Sequence, residues 1–416
     1  MIWMSVYVIA DTFFIAAALG ADGLAALNIS IISFTLVHSF GLMLGLGGGA
    51  VFSIARGRGE SGGDVLAHAL VMGAAAALGF AAVGVFLTGD IARVLGADDV
   101  ILPMVSDYIR TILLFSPFLI LKNILLSFVR NDGKPRLAMA GTFTGAVSNI
   151  VLDYVFLFPL GLGMFGAALA TGLSLIFSIA VLWGGFRIRR CRLRLRRAWE
   201  IVSLGASAFV NEAGVAVALV VFNLVILGLA GNIGVAAYGI VMNLAIVVLS
   251  VFSGIAVGVQ PLVSRWHGSG DAAFVRAVLR YALVTVGVLA LAVYAAVFAF
   301  APAVVGIFNG EGDVLLARLA EDGLRVYFIG LIFAGVNIVL AAFFSASARP
   351  RIALAIAVLR GFVLIVPMLL VLSRFMGMDG VWLSFVVTEA AVFTALLFLH
   401  LVLRLQTLRR SSFRAK

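Results

Sequence analysis

Apolar runs, most of them 18 residues or longer, follow one another along this chain, each stopping at a glycine, a proline or a charge. They lie near 2–18, 27–54, 65–88, 103–129, 136–158, 164–186, 206–230, 233–263, 276–300, 322–346, 352–373 and 379–403. At 1.5 Å per residue, about 20 residues of helix cross the hydrocarbon core of a bilayer. The expectation is an all-α polytopic membrane protein with twelve transmembrane helices. Composition agrees: 63% of residues are hydrophobic and 12% charged, against about 45–50% and about 25% in a soluble domain. The opening MIWMSVYVIADTFFIAAALG has no basic start of the kind a signal peptide carries, and Asp11 stands in its middle. It reads as a first transmembrane helix whose start is truncated or misassigned.

Charge in the loops orients the chain. Even-numbered loops hold Arg56 and Arg58; Arg130, Lys134 and Arg136; the run from Arg187 to Arg197; Arg265 and Arg276; Arg349 and Arg351. The tail adds Arg404, Arg409, Arg410, Arg414 and Lys416. Odd-numbered loops hold only Arg93, Arg318 and Arg374, and two of them are acidic, through Asp98 and Asp99 and through Glu311 and Asp313. The positive-inside rule then places both termini in the cytoplasm. The net charge of +10 is therefore a matter of topology and anionic lipid, and no nucleic-acid partner is expected. Cys191 is the single cysteine, so no intrachain disulfide can form, and the four histidines are scattered with no metal-ligand spacing.

The sequence repeats itself. Gly23-Leu24-Ala25-Ala26 matches Gly234-Val235-Ala236-Ala237, and Gly57 to Glu60 after Ser53 matches Gly268 to Asp271 after Ser264. Pro135-Arg136 matches Pro350-Arg351, and Gly163 and Gly166 match Gly377 and Gly380. Six crossings per half is an even number, so both halves run in the same sense. Two six-helix lobes related by a pseudo-two-fold axis along the membrane normal are expected. The division is an amino-terminal lobe over 1–186, an Arg-rich cytoplasmic linker over 187–203, a carboxy-terminal lobe over 204–405 and a basic tail over 406–416.

Polar residues inside the spans carry the candidate chemistry. Thr142 to Thr171 is apolar enough for two crossings, yet holds Asn149, Asp153 and Thr171. Asn149 and Asp153 are four apart, so one helix face carries both. A carboxylate in hydrocarbon costs about 2.5–3.5 kcal/mol on insertion scales, and such groups face a bundle interior or a watered cavity. Asp11 is expected to join this face. All four residues offer oxygen ligands, suited to a proton or Na⁺. Glu212 and Glu389 are the other carboxylates within spans. Lys122 and Arg360 are basic residues within spans, each able to pair with a carboxylate or to face a cavity. A cation left unpaired there would argue against a purely cationic substrate. Gly41 and Gly45, with Gly47 to Gly49, suit close helix packing or a hinge.

These residues resemble those of the multidrug and toxic compound extrusion (MATE) transporters of the prokaryotic branch. The resemblance lies in Asp11-Thr12-Phe13-Phe14 with Leu19 to Ala26, the Gly-rich second span ending Arg56-Gly57-Arg58-Gly59-Glu60, Val129 to Pro135, and Asn149-x-x-x-Asp153. Gly254 to Ser264, containing Gln260-Pro261, is its most diagnostic segment. The resemblance implies a two-lobe antiporter, acting as a monomer in the inner membrane, that exports small organic, often amphiphilic and cationic compounds against inward H⁺ or Na⁺. No cofactor beyond the coupling ion is implied. It assigns the cation site to Asp11, Asn149, Asp153 and Thr171, and a role in some members to Glu212. The tenth-span carboxylate of some members is absent between Val326 and Ser347, where Asn337 stands instead. A second-lobe polar site would then comprise Glu212, Asn337 and Glu389.

Other readings are weighed against this one. A lipid-linked oligosaccharide flippase of the wider superfamily shares the architecture and predicts a more cationic cavity, for which Lys122 and Arg360 speak. The Gln260-Pro261 segment and twelve spans favour the exporter. An integral membrane enzyme would need clustered His, Asp and Glu at a membrane surface, and none is found. A major-facilitator transporter would carry a paired Asp-Arg and a Gly-Arg-Arg run, which the loop Arg56–Asp64 lacks.

Overall fold

The computed structural model describes the backbone of residues 2–184, 193–309 and 313–414, and the side chains of residues 10–398 within those stretches apart from Ala21. Arg187, Arg189, Arg190, Cys191 and Arg192 of the basic run, Glu311 and Lys416 lie outside the described residues, as do the side chains of the tail.

Every regular element described is a helix. In order they are α1 (Ile2–Gly57), α2 (Gly63–Phe86), α3 (Thr88–Val94), α4 (Leu102–Leu114), α5 (Ser116–Asn131), α6 (Pro135–Leu157), α7 (Gly163–Trp183), α8 (Leu195–Ser269), α9 (Ala272–Phe308), α10 (Val314–Ala346), α11 (Pro350–Val358) and α12 (Ile365–Arg414). A π-helical turn over Leu359–Val363 joins the last two.

Eight stretches are each long and apolar enough to cross a membrane. More crossings appear once breaks are recognised. Three long helices contain a glycine with non-helical torsions: Gly20 (φ 67°, ψ −152°), Gly231 (φ 60°, ψ −153°) and Gly377 (φ 59°, ψ −132°). Residues with a Cβ avoid this region of backbone space. A Cβ built at any of the three would meet nothing within 4 Å, so glycine is required by the backbone and not by crowding. The breaks in α8 and α12 divide each into two crossings. The pair α4 and α5, bent by 50°, forms another, and the limb of α1 before the break contributes the shorter apolar helix Ala10–Gly20. Among the described residues these correspond to the twelve apolar runs. The breaks follow the repeat: Gly20 and Gly231 are equivalent positions, and Gly163 (φ 59°) is the equivalent of Gly377.

Local structure departs from the expected spans in four places. The short α3 follows the third span. The fourth span is bent rather than continuous, because Pro117 at the start of α5 lacks the N–H that would continue the ladder and crowds the preceding turn. The eleventh span is interrupted by the π-helical turn that holds Arg360. Helix α8 begins at Leu195, inside the stretch read as linker.

Packing groups the chain into two compact units. The first comprises Met1–Ala216, Val257–Leu279 and Ala342–Leu354; the second comprises Val217–Ala256, Arg280–Ala341 and Ala355–Lys416. Close backbone contacts explain why pieces from late in the chain belong to the first. A Cβ on Gly205 would lie 1.9 Å from the Met43 carbonyl oxygen, and one on Gly57 would lie 2.0 Å from that of Arg265. Ser345 donates to the Leu204 carbonyl at 2.6 Å. The core of the first unit is aliphatic, with Ile15, Ile109, Leu119 and Ile120 among its buried residues. Aromatic stacking marks the second: Phe222 on Tyr238 at 5.5 Å, Tyr238 on Trp382 at 6.2 Å, and Tyr327 on Phe385 at 4.1 Å.

Candidate functional site

The first unit brings the limb of α1 before Gly20 against α6. Phe14 is the anchor, 6.3 Å from Tyr154 and 6.0 Å from Phe158, ring centre to ring centre. Asp11 lies one turn before Phe14, and Asp153 immediately precedes Tyr154, so the same contact brings the two carboxylates into one bundle. Both are buried: Asp11 is 9% exposed and Asp153 fully enclosed. Asn149, one turn before Asp153 and also buried, reaches across to α7, where its Nδ2 donates to Thr171 Oγ1 at 3.4 Å. Four oxygens here have no hydrogen-bond partner among the described residues: Asp11 Oδ1, Asn149 Oδ1 and both carboxylate oxygens of Asp153. Buried polar atoms are almost always satisfied, and an unsatisfied one calls for an explanation. Four oxygens drawn from these three residues, two of them carboxylates, make an acceptor-only site suited to a proton or a hard cation.

Beside this cluster, in the same unit, lies a cavity of about 450 Å³. Its walls come from α1, α5, α6 and α7, and they include Phe34, His38, Lys122, Asn149, Thr171 and Ser178. Asn149, one turn from Asp153, thus also lines the cavity, and Thr171 lines it beside Asn149.

A model of the MatE family matches residues 1–155 and 207–371. The chain belongs to the MATE family. Among curated relatives, the multidrug export protein MepA of Staphylococcus saprophyticus is 27% identical over 410 residues, covering 96% of this chain and 90% of its own. Among solved structures, an outward-facing multidrug resistance MATE transporter of the MOP superfamily is similar with a TM-score of 0.90 at 20% identity, covering 98% of this chain and 93% of that one. A MOP superfamily transporter from Pyrococcus furiosus, described as having a binding pocket of reverse polarity that suggests a different function, gives 0.87 at 21% identity, covering 95% and 91%. This is a prokaryotic MATE transporter and a multi-pass membrane protein.

Within this MATE fold, the residues expected to form a second polar site are divided between the two units. Asn337 and Glu389 do meet in the second unit: Asn337 Nδ2 donates to a Glu389 carboxylate oxygen at 2.7 Å and to its backbone carbonyl at 2.9 Å. Glu212 is absent from this pair. It precedes the Ala216 boundary and packs with the first unit, its carboxylate beside Asn211. The sequence reading placed it with the others because α8 belongs mostly to the later half; the packing divides that helix.

Arg360, read as a candidate cavity charge, is instead consumed in an ion pair. Its Nε lies 2.9 Å from both carboxylate oxygens of Glu389, and its NH2 group lies 2.8 Å from one of them. Lys122 differs. It is 9% exposed and lines the cavity of the first unit, and no carboxylate among the described residues pairs with it. The glycines and Gln260-Pro261 fall at packing contacts. A Cβ on Gly41 would sit 2.7 Å from Asn123 Nδ2, and one on Gly45 2.6 Å from the Asn123 carbonyl oxygen. Gln260 Nε2 donates to the Leu46 carbonyl at 2.8 Å, and Pro261 is accommodated inside α8.

Sequence reasoning passed over His38, Ser174 and Ser178 as cavity residues. A signal was present. Thr171, Ser174 and Ser178 recur at three- and four-residue spacing in an otherwise apolar run, a polar stripe on one face of α7.

Proposed function

We propose that this chain is a secondary active antiporter that exports organic compounds in exchange for inward H⁺ or Na⁺. The observation that carries the reading is the pair of buried carboxylates, Asp11 and Asp153, whose oxygens include three with no partner among the described residues. Two negative charges buried in one low-dielectric bundle repel each other and lose hydration. Uptake of a proton or Na⁺ relieves both penalties, and Asn149 supplies a further oxygen at the same place. Cation occupancy then favours one arrangement of the lobes and substrate occupancy another, which is all that alternating exchange requires. The MepA relative, named a multidrug export protein, supports organic compounds as the cargo, and amphiphilic cations are the first class to test.

Drug resistance in a pump-deficient bacterial host tests the assignment. Wild-type protein should raise the tolerated concentration of ethidium. Asp153→Asn should reach the membrane in equal amount and confer none. Full resistance in that variant would remove the carboxylate from the mechanism.

The flippase reading requires an excess of positive charge in the cavity. Of its two expected cations, Arg360 is neutralised by Glu389, and Lys122 alone remains. That balance favours the exporter.

A further inference from the structure

Lys122 stands near the middle of α5 with Leu121 before it and Ile124 and Leu125 after Asn123. It is nine-tenths buried. Among the described residues no carboxylate lies within ion-pair distance of its ammonium, and no acceptor takes a hydrogen bond from it. The contrast with Arg360, which is similarly buried and bound to Glu389 through both oxygens, is direct. Burying an ammonium without a partner is among the most unfavourable things a fold can do, so a chain that retains one uses it.

What the ammonium faces is this cavity, which is partly open. Other donors converge on it. Asn123 Nδ2 donates to the His38 carbonyl at 3.3 Å, which fixes the amide's orientation. The same Nδ2 lies 3.2 Å from His38 Nδ1, so that ring nitrogen must accept and the imidazole proton sits on Nε2. Ser178 Oγ is buried with no partner among the described residues and has a proton to donate. No Asp or Glu lines the cavity, while Phe34 and Leu119 supply apolar wall.

We propose that this cavity is an anion site: it takes the carboxylate, or another singly charged oxyanion, of an amphiphilic organic anion or zwitterion, with Lys122 as the counter-charge and His38 and Ser178 as further donors. One ammonium matches one negative charge. A doubly charged phosphate would leave a charge uncompensated in a medium that screens poorly. The apolar wall takes the organic body. The proposal adds organic anions and zwitterions to the cations considered above, and rests on the export reading for the transport step only; binding stands independently.

The test uses the purified full chain and a matched pair of probes, 2-naphthylacetate and its neutral amide, with affinities measured by isothermal titration calorimetry. Wild-type protein should prefer the acid by about tenfold or more, the worth of one charge-assisted hydrogen-bonded pair. Lys122→Met should abolish the preference, Lys122→Arg should retain part of it, and Ser178→Ala should weaken acid binding several-fold while leaving the amide unchanged. Thermal midpoints are read on every variant. Removing an unpaired buried charge should raise the midpoint of Lys122→Met, whereas a fall would mean that the protein itself supplies the partner and would overturn the proposal. Equal binding of acid and amide to the wild type would overturn it too. If Lys122→Met cannot be purified, the wild-type preference and its loss in Ser178→Ala decide. Ethidium export from proteoliposomes is measured in parallel. Export without a carboxylate preference sinks the anion site alone; a preference without cation-driven export sinks the antiporter reading alone.

Discussion

Asn149 is the residue through which the cavity and the buried carboxylates share a wall. Its amide nitrogen donates to Thr171, and its oxygen has no partner among the described residues. Replacing it with leucine removes one oxygen from the proposed cation site while keeping the volume. The expected outcome is an increase of about tenfold in the cation concentration that half-saturates export, the usual worth of one hydrogen-bonding ligand to a charged group. Flux measurements across a cation titration read this directly, and an unchanged half-saturation would exclude Asn149 as a ligand. Thr171→Val should have a smaller effect in the same direction, because it releases the Asn149 amide without removing a carboxylate. The same scale holds the limits of what sequence alone conveys. A four-residue spacing put Asn149 and Asp153 on one face, and their polarity in an apolar run marked that face as buried. No local spacing could say that Arg360 would meet Glu389, 29 positions away, or that Lys122 would have no carboxylate partner among the described residues. Those facts belong to tertiary packing.

At the level of single helices, the break glycines make a sharp prediction. Gly20→Ala and Gly231→Ala should each cost about 1–3 kcal/mol, because the backbone torsions exclude a Cβ although the space around it is open. Gly79→Ala within α2, where space is also open but the backbone is helical, should instead stabilise by up to about 1 kcal/mol. Thermal midpoints of the purified variants check both signs, and equal behaviour at the two kinds of site would contradict the account. The ion pair of the second unit makes a further prediction. Glu389→Gln leaves the Arg360 guanidinium buried without its counter-charge and should cost about 3–5 kcal/mol, whereas Arg360→Met combined with Glu389→Met should restore most of that loss. A double-mutant cycle on the midpoints measures it. The helices themselves were readable because hydrocarbon thickness sets their length. Helix α3 and the π-helical turn were not, since they are short and follow from local fit. The bend at Pro117 had a visible cause, which the length of the apolar run outweighed.

Across the whole molecule, the internal repeat meets itself. Ile54 and Gly57 stand 211 positions before Arg265 and Gly268. A Cβ on Gly57 would lie 2.0 Å from the Arg265 carbonyl oxygen, and one on Gly268 would lie 2.2 Å from that of Ile54. Equivalent segments thus cross at van der Waals contact within the first unit. Gly268→Val should force the backbones apart, costing about 1–3 kcal/mol and lowering export with it; a normal midpoint would show that the crossing is looser than its geometry. Loop charge makes a prediction at this scale as well. In a Cys191→Ser background, a cysteine replacing Ser411 should react with an impermeant maleimide in inverted vesicles and not in intact cells, as the excess of arginine in even-numbered loops requires.

The most direct test of the central claim is ion replacement in proteoliposomes. Purified protein is reconstituted, ethidium is loaded, and export is followed while an H⁺ gradient or a Na⁺ gradient is imposed singly. The account predicts that one of these gradients drives export, that its collapse stops it, and that Asp11→Asn and Asp153→Asn each abolish the response while still binding ethidium. Export that proceeds equally without any cation gradient, or that survives both substitutions, would contradict it.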